Sequence, residues 1–505
     1  MSESSIPSNT VVYGLDDRPS FPRASVLALQ HVLTMFGATV SVPLLFGPAM
    51  DMSQEQIGVL ISSVMLCSGL ATLIQTTFGS RLPIVQGVSF SFIAAFFFII
   101  AAVREAGGGP EEMMQAIAGA VMAGALFEII VGFTGLMGQV RNILSPVVIG
   151  PVIMLIGLAL FQHGAPKAGT DWIISGSTIG LVVLFSFVLA RRHGFFRLFP
   201  ILSAIVIMVL VCYGLSAAGV YHAPDYAEDG SLYQPGSPSF VDLSGLESAV
   251  WIRANPRDVV FPWGWPFFNL GFFVAVLAGY MASMIESVGD YHACSHMAGG
   301  GDPSSSQISR GIGCEGVGCF LTGVFGGFSS TSYSENIGLV GLTGVGSRYV
   351  VQIGGVMLVI VGLFGKFGAL AAGIPGPVVG GLYCVLFGMI SAVGVQQLAK
   401  CDLNSNRNLF IAGFSLFMGL SVPAYFASVA GAETIDPGET LAMYRPTVEV
   451  LLENLPSSAS GIVKSIGKTG MAVAAILGIL LDNLLPGTAK ERGLVTSKRA
   501  AENHS

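Results

Sequence analysis

Charge is scarce in this sequence. Asp, Glu, Lys and Arg make up 10% of its 505 residues, whereas a soluble globular domain carries roughly 25%. With so little charge and 52% hydrophobic residues, most of the chain belongs in lipid. Cysteine is sparse where it would matter outside the cell. Cys67, Cys212, Cys294, Cys314, Cys319, Cys384 and Cys401 avoid both long outer loops, which argues against an extracellular disulfide framework. Cys314 and Cys319 also lack the CxxC spacing of a metal site. No cleavable leader is expected, because residues 1–20 are polar and include Asp16, Asp17 and Arg18. The glycine-rich runs lack the Lys-Ser or Lys-Thr of a phosphate-binding loop, and no soluble segment is large enough to house a nucleotide hydrolase. No metal-ligand cluster or activated nucleophile accompanies the acidic residues, so the chain does not read as an enzyme.

What is present is a series of apolar runs. A membrane-spanning helix takes about 20 apolar residues, and about fourteen candidates centre roughly on residues 37, 67, 94, 125, 155, 182, 209, 278, 319, 340, 360, 386, 418 and 476. This is the pattern of an all-α polytopic membrane protein. With the amino terminus taken as cytoplasmic, the inner set contains Arg23, Arg81, Arg141, Arg191, Arg192, Arg197, Arg310, Arg348, Lys400, Arg407, Lys490, Arg492, Lys498 and Arg499. The short outer loops hold Arg104, Lys167 and Lys366. The positive-inside rule therefore places both termini in the cytoplasm of a cell-membrane protein. Two outer loops, 220–265 and 428–466, are rich in Asp and Glu and read as solvated surface.

An internal repeat organises the runs. Gly135 and Gly138 map onto Gly365 and Gly368 at an offset of 230, and Pro146, Val147, Val148, Gly150 and Gly157 map onto Pro377, Val378, Val379, Gly381 and Gly388 at 231. The copies are spans four and five against eleven and twelve. A spacing of seven spans reverses orientation, so the chain reads as two inverted 7-segment repeats. That is the signature of a secondary transporter with its site near the membrane midplane.

Two stretches break the pattern of ordinary spans. Ser329–Arg348 places Glu335-Asn336 in apolar sequence, followed by Gly338, Gly341, Gly344 and Gly346. Intramembrane ionisable groups are costly and mark sites or partners. Irregular backbone at that depth is tolerated only inside protein or along a cavity. The third span opens with Pro83, Gln86, Gly87, Ser89 and Ser91. Its VSFSF core predicts a short extended piece, with Phe90 and Phe92 on one side and the serines on the other, before a half-helix whose N-terminus aims its dipole into the site. In the eighth span Glu286 and Asp290 lie four apart on one helical face; Asp290 is either a site residue or a water-facing helix end. The ninth span carries Glu315 at its start, as a cap or anchor. Glu128 in the fourth reads as a structural hydrogen-bonding residue. His31 in the first is either a structural hydrogen-bonding group or part of the site.

Two glutamates, an adjacent asparagine, half-helix N–H groups and the rings of Phe90 and Tyr333 suit a small, planar, nearly uncharged solute with N–H donors beside carbonyl acceptors. Nucleobases fit this description better than sugars or simple anions.

The run Glu335-Asn336-Ile-Gly338-Leu-Val-Gly-Leu-Thr343-Gly344 resembles the signature of the nucleobase-ascorbate transporter family, or nucleobase:cation symporters, in which Gln, Glu or Pro precedes Asn-x-Gly-x4-Thr-[Arg/Lys/Gly]. The resemblance extends to QHVLTMFGATVSVP (30–43), ESVGDYHAC (286–294), GSRYVVQ (346–352) and DLNSNRNLF (402–410). It implies 14 transmembrane segments, with segments 3 and 10 pairing as short antiparallel strands. It also implies a core domain (23–138 and 266–372) and a gate domain (139–220 and 373–486). A cytoplasmic tail (1–22), an extracytoplasmic loop (221–265) and a second tail (487–505) complete the chain. By the same resemblance Glu286 and Glu335 bind substrate, supported by Asn336. Tyr333 and Ser334 are adjacent strand positions, and Phe90 packs on the ring. His31, Asp290 and Glu315 serve activity or coupling, and Gly338 and Thr343 complete the signature. A homodimer through the gate domain is implied, with no cofactor beyond a coupling proton or sodium ion and no nucleic-acid partner.

Glu at the first signature position resembles uracil and broader nucleobase carriers, whereas ESVGDY and VGSRYVVQ are close to the animal ascorbate branch. The resulting expectation is nucleobase import, of uracil or xanthine-type purines, by cation symport with elevator-like alternating access. The alternatives are an ascorbate:sodium symporter and an inorganic anion permease or channel on the same fold.

Overall fold

A computed structural model of the chain describes residues 11–137, 145–226, 232–431, 454–489 and 491–493. Gly138 of the repeat, the inner-set residues Arg141, Lys490, Lys498 and Arg499, and residues 432–453 of the second outer loop lie outside the described residues.

The protein is mostly helical. With helices of eight or more residues numbered, α1 is Phe21–Ala49, α2 Gln54–Thr77, α3 Ile93–Glu105, α4 Pro110–Thr134, α5 Pro146–Ala159, α6 Phe161–Ala168, α7 Trp172–Val183 and α8 Pro200–Ala217. The second part of the chain adds α9 Leu270–Met297, α10 Ser305–Val324, α11 Ser334–Thr343, α12 Arg348–Leu363, α13 Gly365–Ala372, α14 Gly376–Leu398, α15 Asn406–Gly431, α16 Ser457–Lys468 and α17 Gly470–Leu484. Strands β1 (Gln86–Val88) and β4 (Ser330–Ser332) pair antiparallel, as do β2 (Asp225–Tyr226) and β3 (Leu232–Gln234) in the outer loop.

Among the described residues nine helices are long and apolar enough to cross a membrane, or eleven when each of two bent pairs counts as one span. The bends are 78° between α12 and α13 and 95° between Ile462–Lys468 and α17. Three of the candidate runs therefore fall short, each for a physical reason. The third and tenth are split into a strand and a short helix, of 13 residues in α3 and 10 in α11. The ninth, α10, is a regular helix, but its first half, SSQISRGIGCEG, is polar and glycine-rich.

Small residues set the closest helix contacts, as expected where packing rather than hydrophobicity drives association. A Cβ on Gly69 of α2 would lie 2.6 Å from the Gly355 carbonyl of α12, and Gly132 of α4 abuts the Gly313 backbone of α10. The repeat glycines Gly150 and Gly157 bring α5 against α14, and Gly381 brings α14 against α7, whereas Gly388 opens to free space.

At one end of α17 the buried Asp482 carboxylate binds Arg407 and Arg492, at 2.8 and 2.7 Å, and accepts from Ser145 Oγ at 2.8 Å. It thereby joins α15, α17, the start of α5 and the final described residues. Removing one partner of a buried ion pair leaves the remaining charge uncompensated. Asp482→Asn is expected to cost on the order of 3 kcal/mol, read as a lowered unfolding midpoint of the purified protein in detergent.

Candidate functional site

The site is built where β1 and β4 cross. Gln86 pairs with Ser332, Gly87 with Thr331 and Val88 with Ser330. The ladder is extended at both ends by Ser89 N–H to the Ser329 carbonyl (2.9 Å) and Tyr333 N–H to the Val85 carbonyl (3.0 Å). The free edge of β1 is covered by Thr72, whose hydroxyl accepts from Gln86 N–H at 2.9 Å, and Gln86 Nε2 donates to Ser332 Oγ at 3.1 Å. Gly87 is needed because a Cβ there would sit 2.5 Å from the Tyr333 ring. Tyr333 is thereby locked: its hydroxyl donates to the Val88 carbonyl and accepts from Thr39 Oγ1, both at 3.1 Å.

Several expectations shift by a residue or a turn. The extended piece lies at Gln86–Val88, ahead of most of VSFSF. Ser89 accepts from Ser91 N–H and a 3-10 turn at Phe90–Phe92 leads into α3, so the strand alternation stops there. Phe92 is fully buried against Tyr280 and Phe96, while Phe90 is half-buried. Tyr333 and Ser334 lie just past the strand, at the N-cap and first turn of α11. Glu315 is in the middle of α10 rather than at its start. Asp290 is buried and two turns short of the end of α9, so it is not a water-facing helix end.

The acidic groups differ sharply in their surroundings. Glu335 sits in the first turn of α11, where the helix dipole favours a negative charge. Glu286, on α9, feels the Glu335 charge. Among the described residues no side chain donates a hydrogen bond to either carboxylate, and Glu335 is exposed. Gly289, one turn after Glu286, and Gly338, one turn after Glu335, are also exposed and have nothing within 4 Å of where a Cβ would be. Asp290 Oδ1 accepts from Ser334 Oγ at 2.9 Å, tying α9 to the start of α11. Asn336 is buried and donates through Nδ2 to the His31 carbonyl (3.0 Å) and towards His31 Nδ1 (3.2 Å). His31 therefore supports the signature asparagine, with its Nδ1 as the acceptor. Thr343 ends α11, its hydroxyl donating to the Leu339 carbonyl and accepting from Val345 N–H, ahead of Gly344 at φ +67°. Three further buried acceptors, Asn336 Oδ1, Gln86 Oε1 and Asp290 Oδ2, have no donor among the described residues.

Glu315 is the opposite case. Its Oε1 accepts from Ser283, Ser287 and Thr331 at 3.3, 2.7 and 3.3 Å, and its Oε2 from Tyr291 and Ser332 at 2.9 and 3.5 Å. It anchors α9, α10 and β4 to one another. The sequence reading did not single out Thr39, Thr72, Tyr291 or Gly289. Only Thr39 carried a usable signal, lying eight residues, or two helical turns, beyond His31 on α1.

Comparison with known proteins fits this geometry. Residues 22–428 match the model of a family described as the Permease family. The chain is 36% identical to solute carrier family 23 member 1 of Rattus norvegicus, over 99% of this chain and 84% of that protein. It is 35% identical to nucleobase-ascorbate transporter 7 of Arabidopsis thaliana, over 96% of this chain and 89% of that protein. The chain belongs to the nucleobase-ascorbate transporter family. As a member of that family it is a multi-pass carrier and not an enzyme. The transporter fold itself is shared with the transmembrane domain of the cyanobacterial bicarbonate transporter BicA, at TM-score 0.51 and 15% identity over 76% of this chain and 97% of that one. It is shared also with SLC26A9, at TM-score 0.53 and 14% identity over 78% and 62%.

Glu315→Gln puts an amide N–H₂ where hydroxyls now donate. It is expected to destabilise this nucleobase-ascorbate family member by about 2–3 kcal/mol, measured by thermal unfolding, with the change reaching β4 as faster hydrogen exchange at Ser330–Ser332.

Proposed function

We propose that the protein imports a nucleobase, uracil or a xanthine-type purine, together with a proton, sodium being the alternative ion. The carrying observation is a surplus of acceptors. Among the described residues Glu286 and Glu335 have no side-chain donors, and Asn336 Oδ1, Gln86 Oε1 and Asp290 Oδ2 lack donors as well. A buried acceptor left unpaired costs about 1–3 kcal/mol, so a solute rich in N–H groups is favoured over one that brings further acceptors. A nucleobase offers such N–H groups in a plane. Phe90 and the locked Tyr333 supply aromatic faces beside it.

In this reading Glu286 and Glu335 bind the solute, with Asn336 and Ser334 beside them and Gly338 leaving room for it. His31, Asp290, Glu315 and Thr343 hold those groups in place or take part in coupling. Two nearby carboxylates repel each other, so taking up a cation favours capture of a neutral base. The chain acts as 14 segments in two inverted repeats, with the core (23–138, 266–372) moving like an elevator against the gate (139–220, 373–486). Both termini are cytoplasmic in the cell membrane, and the carrier works as a homodimer. The antiparallel contact of β1 with β4, one from each half, supports the inverted arrangement.

A second reading, ascorbate with sodium, has one observation in its favour. A cleft of about 440 Å³ between α1, α3 and α6 is lined by Arg104, His163 and Lys167, and basic side chains attract an anionic solute. Arg104 is already paired with Asp51 at 2.7 Å, and a substrate anion at Glu286 and Glu335 would still need a compensating cation. An inorganic anion permease is less well supported, since neither Gln86–Ile93 nor Ser329–Thr343 contains a Lys or Arg.

Glu286→Ala and Glu335→Ala are each expected to abolish saturable uptake of labelled uracil or xanthine in cells while protein remains in the membrane; normal uptake by either variant would refute the assignment. Excess unlabelled ascorbate should leave that uptake unchanged. A protonophore in sodium-free medium should collapse accumulation, whereas persistence with a requirement for added sodium would identify the other ion.

A further inference from the structure

The cleft between α1, α3 and α6 is a different place in the molecule from the signature carboxylates. None of Glu286, Asp290, Glu335 or Asn336 lines it. Its volume of about 440 Å³ lies in the range of small-molecule pockets, roughly 300–1,000 Å³. Leu45 and Ile100 give it apolar walls, Phe97 and His163 aromatic ones, and Arg104 and Lys167 positive charge; no Asp or Glu lines it.

Neither cation has a full set of partners. Arg104 donates through Nη2 to the Ala49 carbonyl and to Asp51, at 2.5 and 2.7 Å. Its Nη1 and Nε have no acceptor among the described residues, so further N–H groups of the guanidinium can take one. The Lys167 ammonium makes no hydrogen bond or ion pair among the described residues; its Nζ stands 5.8 Å from the centre of the Tyr383 ring. The nearby acids are already engaged, Asp51 with Arg104 and Glu105 with Lys468 at 3.5 Å.

Flat groups already pack face to face here. The Phe97 and His163 rings stack with centroids 4.1 Å apart and planes 5° apart. Phe97 lies in the proposed core (23–138) and His163 in the proposed gate (139–220). Two further contacts cross the same boundary: Tyr383 Oη of α14 donates to the Ser41 carbonyl of α1 at 3.1 Å, and Lys468 of α16 pairs with Glu105 of α3. The cleft is thus a gap in this boundary, with one basic side chain from each body. A single anionic head can serve both and relieve the repulsion between like charges that share the space. A flat apolar body suits the walls of Phe97, Ile100 and Leu45. A neutral ring would leave the ammonium unpaired.

We propose that this cleft is a second binding site, for a small flat aromatic carboxylate or sulfonate, and that its occupant holds core and gate together and slows transport without competing with the solute. A ligand that binds one arrangement of two bodies favours that arrangement. The slowing rests on the proposed movement of core against gate; the binding does not.

The test probe is naphthalene-2-sulfonate, a flat anion that stays ionised and so cannot ferry protons across the membrane, with naphthalene-2-sulfonamide as its uncharged counterpart. Purified full-length protein should bind the sulfonate saturably in calorimetric titration, and the sulfonamide roughly ten-fold more weakly, the loss of one charge-assisted contact. Lys167→Gln removes the unpaired charge. Ala101→Trp, at an exposed lining position, fills the space without changing charge. Each should weaken sulfonate binding by about ten-fold or more. Binding by either variant equal to wild type is adsorption elsewhere on the protein and overturns the proposal. In proteoliposomes exchanging labelled uracil or xanthine, external sulfonate should lower the maximal rate with KM unchanged, and should not affect Lys167→Gln. Inhibition that is overcome by raising the solute concentration, or binding without inhibition, overturns it as well. A wild type that takes up neither base refutes the nucleobase reading instead, and the titration still decides whether the cleft binds the anion.

Discussion

A strand of three residues buried among helices must have its backbone groups paired, and β1 and β4 satisfy each other. In the interior of a membrane protein an unpaired N–H or C=O is too costly to keep, so neither strand could stand alone. Their pairing lets two segments stop being helix halfway through the protein, and α3 and α11 begin there with unsatisfied N–H groups at their first turns. The other local features follow from this crossing. Thr72 covers the exposed edge at Gln86, Gly87 yields its Cβ space to the Tyr333 ring, and Tyr333 returns a hydrogen bond to the Val88 carbonyl. Glu335 then falls at a helix start, where a carboxylate is favoured, rather than in the middle of a span, where it would be very costly.

The carboxyls form a graded series in how they are satisfied. Glu335 is exposed and Glu286 half-buried, both with no side-chain donors among the described residues. Asp290 is buried with one oxygen satisfied by Ser334 and the other not. Glu315 is buried and surrounded by hydroxyls, and Glu128 lies behind it with none. The hydroxyls that satisfy Glu315 come from α9 and β4, the elements that carry or lead to Glu286 and Glu335. A shift of α9 or β4 that moves Glu286 or Glu335 therefore also moves the side chains that hold Glu315. A structural anchor and an electrical link are here one set of hydrogen bonds.

Much of this was legible in the sequence where the signal was local. Glu335-Asn336 in apolar surroundings, the four-residue spacing of Glu286 and Asp290, and the serine- and glycine-rich opening of the third span each marked a departure from an ordinary helix. What was not legible depends on contacts across the chain. His31 and Asn336 are 305 residues apart, and Thr39 and Tyr333 294 apart; no spacing rule joins them. The alternation VSFSF suggested a strand through Phe92, but Ser89 caps a turn instead, because a hydroxyl that can bond its own backbone competes with the ladder. Glu315 read as a cap or anchor and Glu128 as a structural hydrogen-bonding residue, and neither reading contained the gathering of hydroxyls from α9 and β4 on Glu315 alone.

The far end of α11 constrains how the site can move. Val12 and Tyr13 N–H both reach the Gly344 carbonyl at 2.8 and 3.1 Å, Gly346 N–H reaches the Tyr13 carbonyl at 2.7 Å, and Arg348 N–H the Leu15 carbonyl at 3.1 Å. Arg348 also pairs with Asp16 at 2.6 Å. The segment just before α1 thus grips the end of α11 while β1 grips its beginning through β4. A displacement of α11 alone would break backbone bonds at both ends, those at the β4 end among buried residues where no water replaces them. Displacement of α11 together with β1, β4, α1 and the start of α12 breaks none of them. The hydrogen bonding around the signature helix therefore favours movement of the site as part of a larger body over a local swing of the helix that carries it.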